Sequence, residues 1–292
     1  MKTLLKRIYD VLPFKQAIFS LLRVLPFPPS IYQHLHFQGI IRVRVPAHGT
    51  FLMRHHGYMI ENEMFWRGIK GFEKISFELW IRLCPQANTI LDIGANTGVY
   101  ALIAKTVNPR ATIITAEPVE RIFAKLEENI ALNGGGIIAL KAAVTDHEGE
   151  VTLYDIPERE HMNAVSLERD HLAGLVGVRP VNVAAHTVKS IAATHGLQRI
   201  DLLKIDVETH EPEVLAGFMD ILERDRPTLL IEILNDRVAE RIEAMIGKLG
   251  YRFYNIDDVT WPPERVTTLS ASKHFNFLLC QPQVAESIGL SA

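Results

Sequence analysis

The sequence TILDIGANTG at residues 89–98 constrains the fold more than any other stretch of this chain. Residues 89–93 are short, apolar and rich in β-branched side chains, which predicts a buried strand. Residues 94–98 predict a tight glycine turn, and residues 99–105 have the spacing of an α-helix. A strand, a turn and a helix in this order place backbone N–H groups at a helix N-terminus, where an anion is favoured. The stretch therefore predicts a ligand site at the end of a buried strand.

The glycines of this turn follow the pattern D-x-G-x-x-x-G, which begins at Asp92. Gly94 would let a ligand approach the backbone closely, and Gly98 would let the helix pack on the strand. Asn96 and Thr97 lie between them and belong to the same candidate ligand-binding turn. The second glycine is displaced from the G-x-G-x-x-G dinucleotide fingerprint, so the pattern is not that of a typical nicotinamide site.

A second predicted strand, residues 111–116, ends in Glu117-Pro118. An acidic residue about 20 positions past such a glycine turn is placed to accept hydrogen bonds from a ribose diol. A glycine turn alone would fit any doubly wound domain. Asp92, the turn and Glu117 together are more specific, and they resemble the S-adenosylmethionine site of class I methyltransferases. Pro118 is grouped with Glu117 as a candidate cofactor contact.

Two further positions are candidates for the same cofactor. Glu73 precedes a helix predicted at residues 75–83, where it would meet the cofactor's amino group, line the pocket, or simply be solvated. Ala142 and Ala143 follow the third predicted strand. Because ligands bind beyond the carboxyl ends of the strands in a doubly wound sheet, these alanines could flank an adenine.

Four titratable groups follow the strand predicted at residues 200–206: Asp206, Glu208, His210 and Glu211. Such a cluster is costly to bury without ligands, so it should face a cleft. One interpretation makes His210 or Asp206 the general base that removes a proton from an acceptor hydroxyl. The alternative is a solvated helix start, where the helix dipole favours carboxylates.

A metal site is a third interpretation of these carboxylates. Asp206, Glu232 and Asp236 could supply oxygen ligands to Mg²⁺, which would hold and acidify a hydroxyl. The same side chains could equally serve the substrate directly, without a metal ion.

Alternating strands and helices predict an α/β fold with three layers and a doubly wound, mostly parallel sheet. An antiparallel pair of strands at residues 251–256 and 275–280 would close the sheet, as in Rossmann-like class I methyltransferases. We expect an N-terminal arm over residues 1–64 and the cofactor-binding domain over residues 65–292. The acceptor pocket would be built from residues 30–75 and the loop at residues 157–180.

The arm is predicted to contain two short basic amphipathic helices, before and after Pro13, and a β-hairpin from Ile40 to Met53, with His55 and His56 in the following turn. The helices would pack on the catalytic domain or a second subunit, giving a homodimer, or would contact a membrane surface peripherally. No apolar run reaches the roughly 18 residues that span a bilayer.

Composition excludes little but sets useful bounds. The net charge of −3 gives no reason to expect nucleic-acid binding. The two cysteines, Cys84 and Cys280, lack metal-site spacing and are expected to be free thiols in a reducing, cytoplasmic location.

Several motifs together are similar to the FkbM family of methyltransferases. They are Asp92 to Tyr100, Glu117-Pro118, residues 129–133, residues 142–144 and residues 203–211, with support from residues 66–74 and 230–233. The resemblance implies a class I enzyme that uses S-adenosylmethionine to O-methylate sugars, polyketides or other secondary metabolites. It implies cofactor contacts for Asp92, Gly94, Asn96, Gly98 and Glu117, and places Asp206, Glu208 and His210 towards the acceptor. Asp206 is also a candidate contact of the cofactor.

The chain departs from the family pattern at two places. The family usually has glycine where this chain has Thr209, so the resemblance implies no turn geometry at this position. After the strand predicted at residues 181–186, the family usually has Thr-Leu-Asp, whereas this chain has Thr187-Val188-Lys189. The resemblance therefore carries over no role for an aspartate at this position.

The sequence thus favours an S-adenosylmethionine-dependent methyltransferase that acts on a hydroxyl of a small molecule or glycan. The rival hypotheses are a nicotinamide-dependent oxidoreductase on the same type of sheet and a non-catalytic protein that retains the fold.

Overall fold

A computed structural model describes residues 13–25, 27–156 and 177–290 of the chain. The strands are β1 Gly39–Val45, β2 Gly49–His55, β3 Thr89–Ile93, β4 Thr112–Ala116, β5 Ile138–Leu140, β6 Ala143–Val144, β7 Gly149–Asp155, β8 Arg179–His186, β9 Leu202–Ile205, β10 Thr228–Glu232, β11 Arg252–Ile256, β12 Glu264–Val266 and β13 Asn276–Cys280. The helices are α1 Lys15–Leu22, α2 Pro29–Tyr32, α3 Met59–Arg67, α4 Lys74–Leu83, α5 Val99–Val107, α6 Glu120–Leu132, α7 Val188–Thr194, α8 Glu211–Ala216, α9 Met219–Asp225, α10 Asp236–Ile246 and α11 Pro282–Ser287.

The central sheet has eight strands in the order β12-β11-β13-β10-β9-β3-β4-β5. The five strands from β10 to β5 pair in parallel, and β13 lies antiparallel between β10 and β11. The predicted α/β class and the closing antiparallel pair are therefore confirmed. From β3 the strands β4 and β5 are added on one side of the sheet, whereas β9 and β10 are added on the other side. The strand order therefore switches between the neighbours β3 and β9, and ligands bind at such a switch point.

Successive side chains of β3 point to opposite faces of the sheet and pack into two separate parts of the core. Ile90 packs with α4, α5 and the N-terminal hairpin, whereas Leu91 packs with α7 to α10 on the other face. All five residues of β3 are buried, as expected for a parallel strand covered on both faces. The carboxyl end of β3 consequently lies between two helical layers.

Several local predictions were wrong. The sequence of residues 214–222 predicts a single helix, but the chain forms α8 and α9 with a break at Gly217 and Phe218. The backbone of Gly217 passes so close to Thr145 that a Cβ there would lie 2.3 Å from the Thr145 carbonyl oxygen. Helices α3 and α11 and strand β12 were not predicted, and β6, β8 and β7 form a separate three-stranded sheet.

The N-terminal hairpin packs on α6 through side-chain amides. Asn133 accepts a hydrogen bond from the Leu52 N–H at 2.8 Å, and Asn129 accepts one from the Arg54 N–H at 2.8 Å. Helix α1 joins the same core through Phe19. The hairpin therefore shares a core with the sheet, and the division at residue 64 stays a prediction.

His55 ends β2 and is fully buried, rather than lying in the turn that was expected. Burial lowers the pKa of its imidazole to about 4. Cys84 and Cys280 are buried free thiols, as predicted. The first predicted amphipathic helix and residues 157–176 of the predicted acceptor loop lie outside the described residues. Within the described residues, no helix is both long and apolar enough to cross a membrane.

Candidate active site

A cavity of about 400 Å³ lies at the carboxyl ends of β3, β4, β9 and β10. Its walls come from the glycine turn after β3, the segment after β4, β6, and the residues that end β9 and β10. Residues 58–61, where α3 begins, close the remaining side. Cavities of this size are typical of sites for small ligands and cofactors.

The glycine turn has a backbone that requires its glycine. Gly94 has φ +79°, and a Cβ at this position would lie 1.8 Å from the carbonyl oxygen of Asp206. The N–H groups of Gly94 and Ala95 both donate to the Ala116 carbonyl at 3.0 Å, which fixes the turn against the end of β4. The turn is thus clamped between β4 and β9, and no larger residue fits at Gly94.

Glu117 connects the turn to the strand after it. Its carboxylate accepts hydrogen bonds from the Asn96 N–H at 3.1 Å and from the Val119 N–H at 2.9 Å. Burial raises the pKa of Glu117 to about 7, although both backbone donors oppose that shift. The two motifs that were separated by about 20 residues in the sequence therefore meet in one wall of the cavity.

Two polar atoms in this wall have no hydrogen-bond partner among the described residues. The Asn96 Oδ1 and Thr97 Oγ1 atoms are buried without a hydrogen bond, and both residues line the cavity. Buried polar groups are normally paired, so unpaired ones in a cavity wall indicate a polar ligand. The turn therefore fits the polar end of a nucleoside cofactor.

Three carboxyl groups and one lysine lie where β3 and β9 end. Lys204 donates to Asp206 at 2.8 Å, Tyr100 donates to Glu73 at 2.5 Å, and Asp92 accepts from the Ala101 N–H at 3.1 Å. Burial raises the pKa of Asp92 to about 7 and also raises the pKa of Glu73, while the Lys204 charge lowers both. These groups all line the cavity and could hold the amino end of a cofactor.

Asp206, Glu208 and Glu232 line the side of the cavity formed by the ends of β9 and β10. Burial raises the pKa of Glu208 to about 7, and the nearby Asp206 adds to the shift. The same two causes raise the pKa of Glu232 to about 9. Carboxyl groups with pKa values near neutrality are suited to proton transfer.

His210 is placed differently from this group. Its Nε2 atom lies 2.9 Å from Thr145 Oγ1 and its Nδ1 atom lies 3.5 Å from Glu213. It does not appear among the residues that line the described cavity. Glu211, which follows it, is buried and accepts a hydrogen bond from the Val207 N–H at 3.1 Å.

Most of the other predicted cofactor residues line the cavity, including Pro118 and Ala143. Gly98 does not; it caps α5 with φ +89°, and a Cβ there would lie 2.5 Å from Leu126 of α6. The close approach is therefore between α5 and α6, not between helix and strand as the pattern predicted.

The Mg²⁺ hypothesis finds no support in the described part of the chain, where no three His, Cys, Asp or Glu side chains are grouped to hold a metal ion. Asp236 starts α10 and accepts a hydrogen bond from the Ala271 N–H at 2.6 Å. The cation that faces Asp206, Glu73 and Glu232 is the buried ammonium of Lys204, and these carboxylates raise its pKa.

Two residues of the site were not singled out from the sequence. Lys204 is a charged residue within an otherwise apolar strand, and that contrast was the available signal. Glu61 lines the cavity from α3 and is fully buried, and neither of its carboxylate oxygens has a well-formed hydrogen bond. No motif surrounds Glu61, so only the fold reveals it.

The glycine turn after β3, the acidic residue after β4 and the strand order define a class I methyltransferase site. Residues 92–253, more than half of the chain, match the Methyltransferase FkbM domain. The chain therefore belongs to the FkbM family of S-adenosylmethionine-dependent methyltransferases.

Three relatives illustrate the likeness. Methyltransferase sdnD of Sordaria araneosa is 26% identical over 215 residues, which cover 65% of this chain and 83% of sdnD. The 2-O-methyltransferase NoeI of Sinorhizobium fredii is 28% identical over 149 residues, 47% of this chain and 60% of NoeI. The crystal structure of Methyltransferase FkbM from Methylobacillus flagellatus is 12% identical with a TM-score of 0.41, covering 66% of this chain and 43% of that one.

Proposed function

We propose that this protein transfers a methyl group from S-adenosylmethionine to a hydroxyl of a sugar, glycan or secondary metabolite. The observation that carries the proposal is the hydrogen bond from the Asn96 N–H to Glu117, which joins the glycine turn and the carboxylate that we propose binds the ribose. Oxygen as the acceptor atom is supported by NoeI, which is described as a 2-O-methyltransferase.

The roles of the cofactor residues follow from their positions. Glu117 would accept hydrogen bonds from the ribose diol, and Asn96 and Thr97 would pair with polar groups of the cofactor. Ala143 and Pro118 would flank the adenine, while Glu73 and Asp92 would face the amino end. When bound, S-adenosylmethionine supplies an electrophilic methyl group on a sulfonium. The protein then has to orient the acceptor and remove its proton.

Glu208 is our choice for the general base. It lines the cavity, and its pKa of about 7 matches a base that works near neutral pH. Asp206 is paired with Lys204, which favours a positioning role over proton transfer. His210 is the alternative base, and it would need to turn from Thr145 towards the cavity. We also propose a cytoplasmic location, which the two free cysteines support, and a homodimer. Neither point bears on the choice of the general base.

Calorimetric titration with S-adenosylhomocysteine, with and without Mg²⁺, tests the proposal. We expect one-to-one binding that does not depend on Mg²⁺. Glu117→Ala should abolish binding, while Glu127→Ala on the exposed face of α6 should not change it. Absence of binding by the unmodified protein would refute the cofactor assignment. Changes in fluorescence on titration with NADH would instead favour the oxidoreductase.

A further inference from the structure

The described N-terminal segment exposes an unusual number of large apolar side chains. Those with considerable exposure between residues 13 and 40 are Phe14, Leu21, Val24, Leu25, Ile31 and Ile40. Phe14 is 83% exposed, Leu21 76% and Val24 84%. Single exposed apolar residues are normal on a protein surface, but a group of this size in one short segment indicates an interaction surface. We call these six residues the N-terminal apolar face.

Helix α1 is apolar on two sides. One side packs through Phe19 onto the core, and the ring centroids of Phe19 and Trp66 are 5.9 Å apart. Ile18 and Leu22 pack beside Phe19. The other side carries Leu21 and continues into Val24. A helix that only had to pack on the domain would need one apolar side, with polar residues opposite. The second side therefore has no packing role among residues 13–25, 27–156 and 177–290.

Positive charge accompanies this face. Residues 1–60 contain eight Lys and Arg and one acidic residue, Asp10, although the whole chain has a net charge of −3. The side chain of Gln16 on α1 donates to the Ile40 carbonyl at 2.6 Å, which joins α1 to the start of β1. Along β1, Arg42 and Arg44 are exposed on the same side as Ile40. Ile40, one member of the apolar face, thus lies on the same side of β1 as two exposed arginines.

The N-terminal apolar face also adjoins the active site. Phe14 and Met59 line a second, open groove, and Tyr58 and Met59 line both this groove and the cavity of the active site. Met59 is itself 63% exposed. Whatever binds the apolar face is therefore held next to one wall of the methyl-transfer cavity.

From these observations we propose that the N-terminal apolar face docks the protein on the surface of a membrane that contains anionic lipids. Phe, Leu and Val side chains flanked by basic residues match a bilayer interface, where acyl chains lie beneath anionic headgroups. A nucleic acid would match the arginines but not the exposed aliphatic side chains. A second subunit would not by itself account for the charge imbalance of residues 1–60.

Vesicle flotation with the full-length protein tests this proposal. We expect binding to phosphatidylcholine vesicles that contain phosphatidylglycerol, weaker binding to pure phosphatidylcholine, and weakening by salt. Leu21→Glu combined with Val24→Glu should lower the partition roughly tenfold. Val259→Glu is the matched control, because Val259 is 72% exposed in the bend after β11. Arg42→Gln combined with Arg44→Gln should reduce binding only to the anionic vesicles.

Three outcomes would overturn the proposal. The first is that the protein does not bind anionic vesicles, and the second is that Val259→Glu lowers vesicle binding as much as the double glutamate variant does. The third is that the protein binds no vesicles but forms a dimer in solution, which the double glutamate variant converts to a monomer. Binding to duplex RNA that depends on the arginines but not on Leu21 and Val24 would likewise count against it. Titration of S-adenosylhomocysteine is expected to be unchanged in every variant, so failure of cofactor binding would concern the proposed function and not the docking surface.

Discussion

Lys204 donates a hydrogen bond to Asp206 at 2.8 Å from an almost completely buried side chain at the end of β9. Its ammonium also faces Glu73 and Glu232 and lies 5.1 Å from the centre of the Tyr100 ring. One buried cation therefore faces carboxyl groups from three different elements of the fold. Loss of that charge would remove the ion-pair partner of Asp206 inside the cavity.

Lys204→Met should destabilise the protein by roughly 3 kcal/mol at neutral pH, because removing one partner of a buried ion pair leaves the other charge unpaired. Urea unfolding measures this loss. The double variant Lys204→Met, Asp206→Asn should recover part of the stability, since it removes an unpaired charge as well. Additive losses in the double variant would show that the pair is not coupled.

Gly94→Ala should prevent the cofactor site from forming. The new Cβ would lie 1.8 Å from the Asp206 carbonyl oxygen, at a backbone φ of +79°. The matched control is Gly135→Ala, which has φ +76° but no atom within 4 Å of the added Cβ. The control should lose only about 1–2 kcal/mol from the left-handed backbone. Thermal unfolding and titration with S-adenosylhomocysteine should both separate the two variants, and equal losses would contradict the close approach.

Glu61→Gln should change how stability depends on pH. Burial raises the pKa of Glu61 from 4.5 to about 7, so the folded state binds more protons than the unfolded state between these values. Stability contributed by this group therefore falls as pH rises from about 5 to 7. The glutamine variant lacks this fall, and relative to the unmodified protein it should gain up to roughly 3 kcal/mol by pH 8.

Urea unfolding at pH 5 and pH 8 provides the measurement for Glu61. Glu127→Gln serves as its control, because Glu127 is exposed on α6 and its substitution should shift stability by less than about 0.5 kcal/mol at either pH. A difference between variant and unmodified protein that does not change with pH would contradict the titration of Glu61.

The sequence was sufficient where chemistry and periodicity coincide within one segment. Asp92, the glycine turn and Glu117 predicted a ligand wall, and apolar runs such as β3 predicted the parallel sheet. It was insufficient where contacts join distant segments. Glu61 lines the cavity from α3, far in sequence from the glycine turn, and Gly217 at the break between α8 and α9 closely approaches Thr145. His210 shows that closeness in sequence can also mislead: it lies four residues after Asp206, but it does not line the cavity.

Thr209→Gly should stabilise the protein. Thr209 has φ +81°, and its buried hydroxyl has no partner in the part of the chain that the structure describes. A β-branched residue thus occupies a conformation that glycine adopts without strain. This is the position at which the resemblance implied a glycine. We expect a gain of about 1 kcal/mol in thermal unfolding with cofactor binding retained. Thr50→Gly, on an exposed position of β2, should instead lose stability, and a loss at Thr209 as well would refute strain at this turn.

Glu208→Gln should abolish turnover while leaving the affinity for S-adenosylhomocysteine within about twofold. In the unmodified protein the pKa of Glu208 is about 7, and a base acts only when deprotonated, so kcat/KM should rise through pH 7 to a plateau. Once an acceptor has been found, the pH profile of methyl transfer provides the measurement. His210→Ala is the comparison: if it removes the rise through pH 7 and Glu208→Gln does not, then the base is His210 and the assignment to Glu208 is wrong.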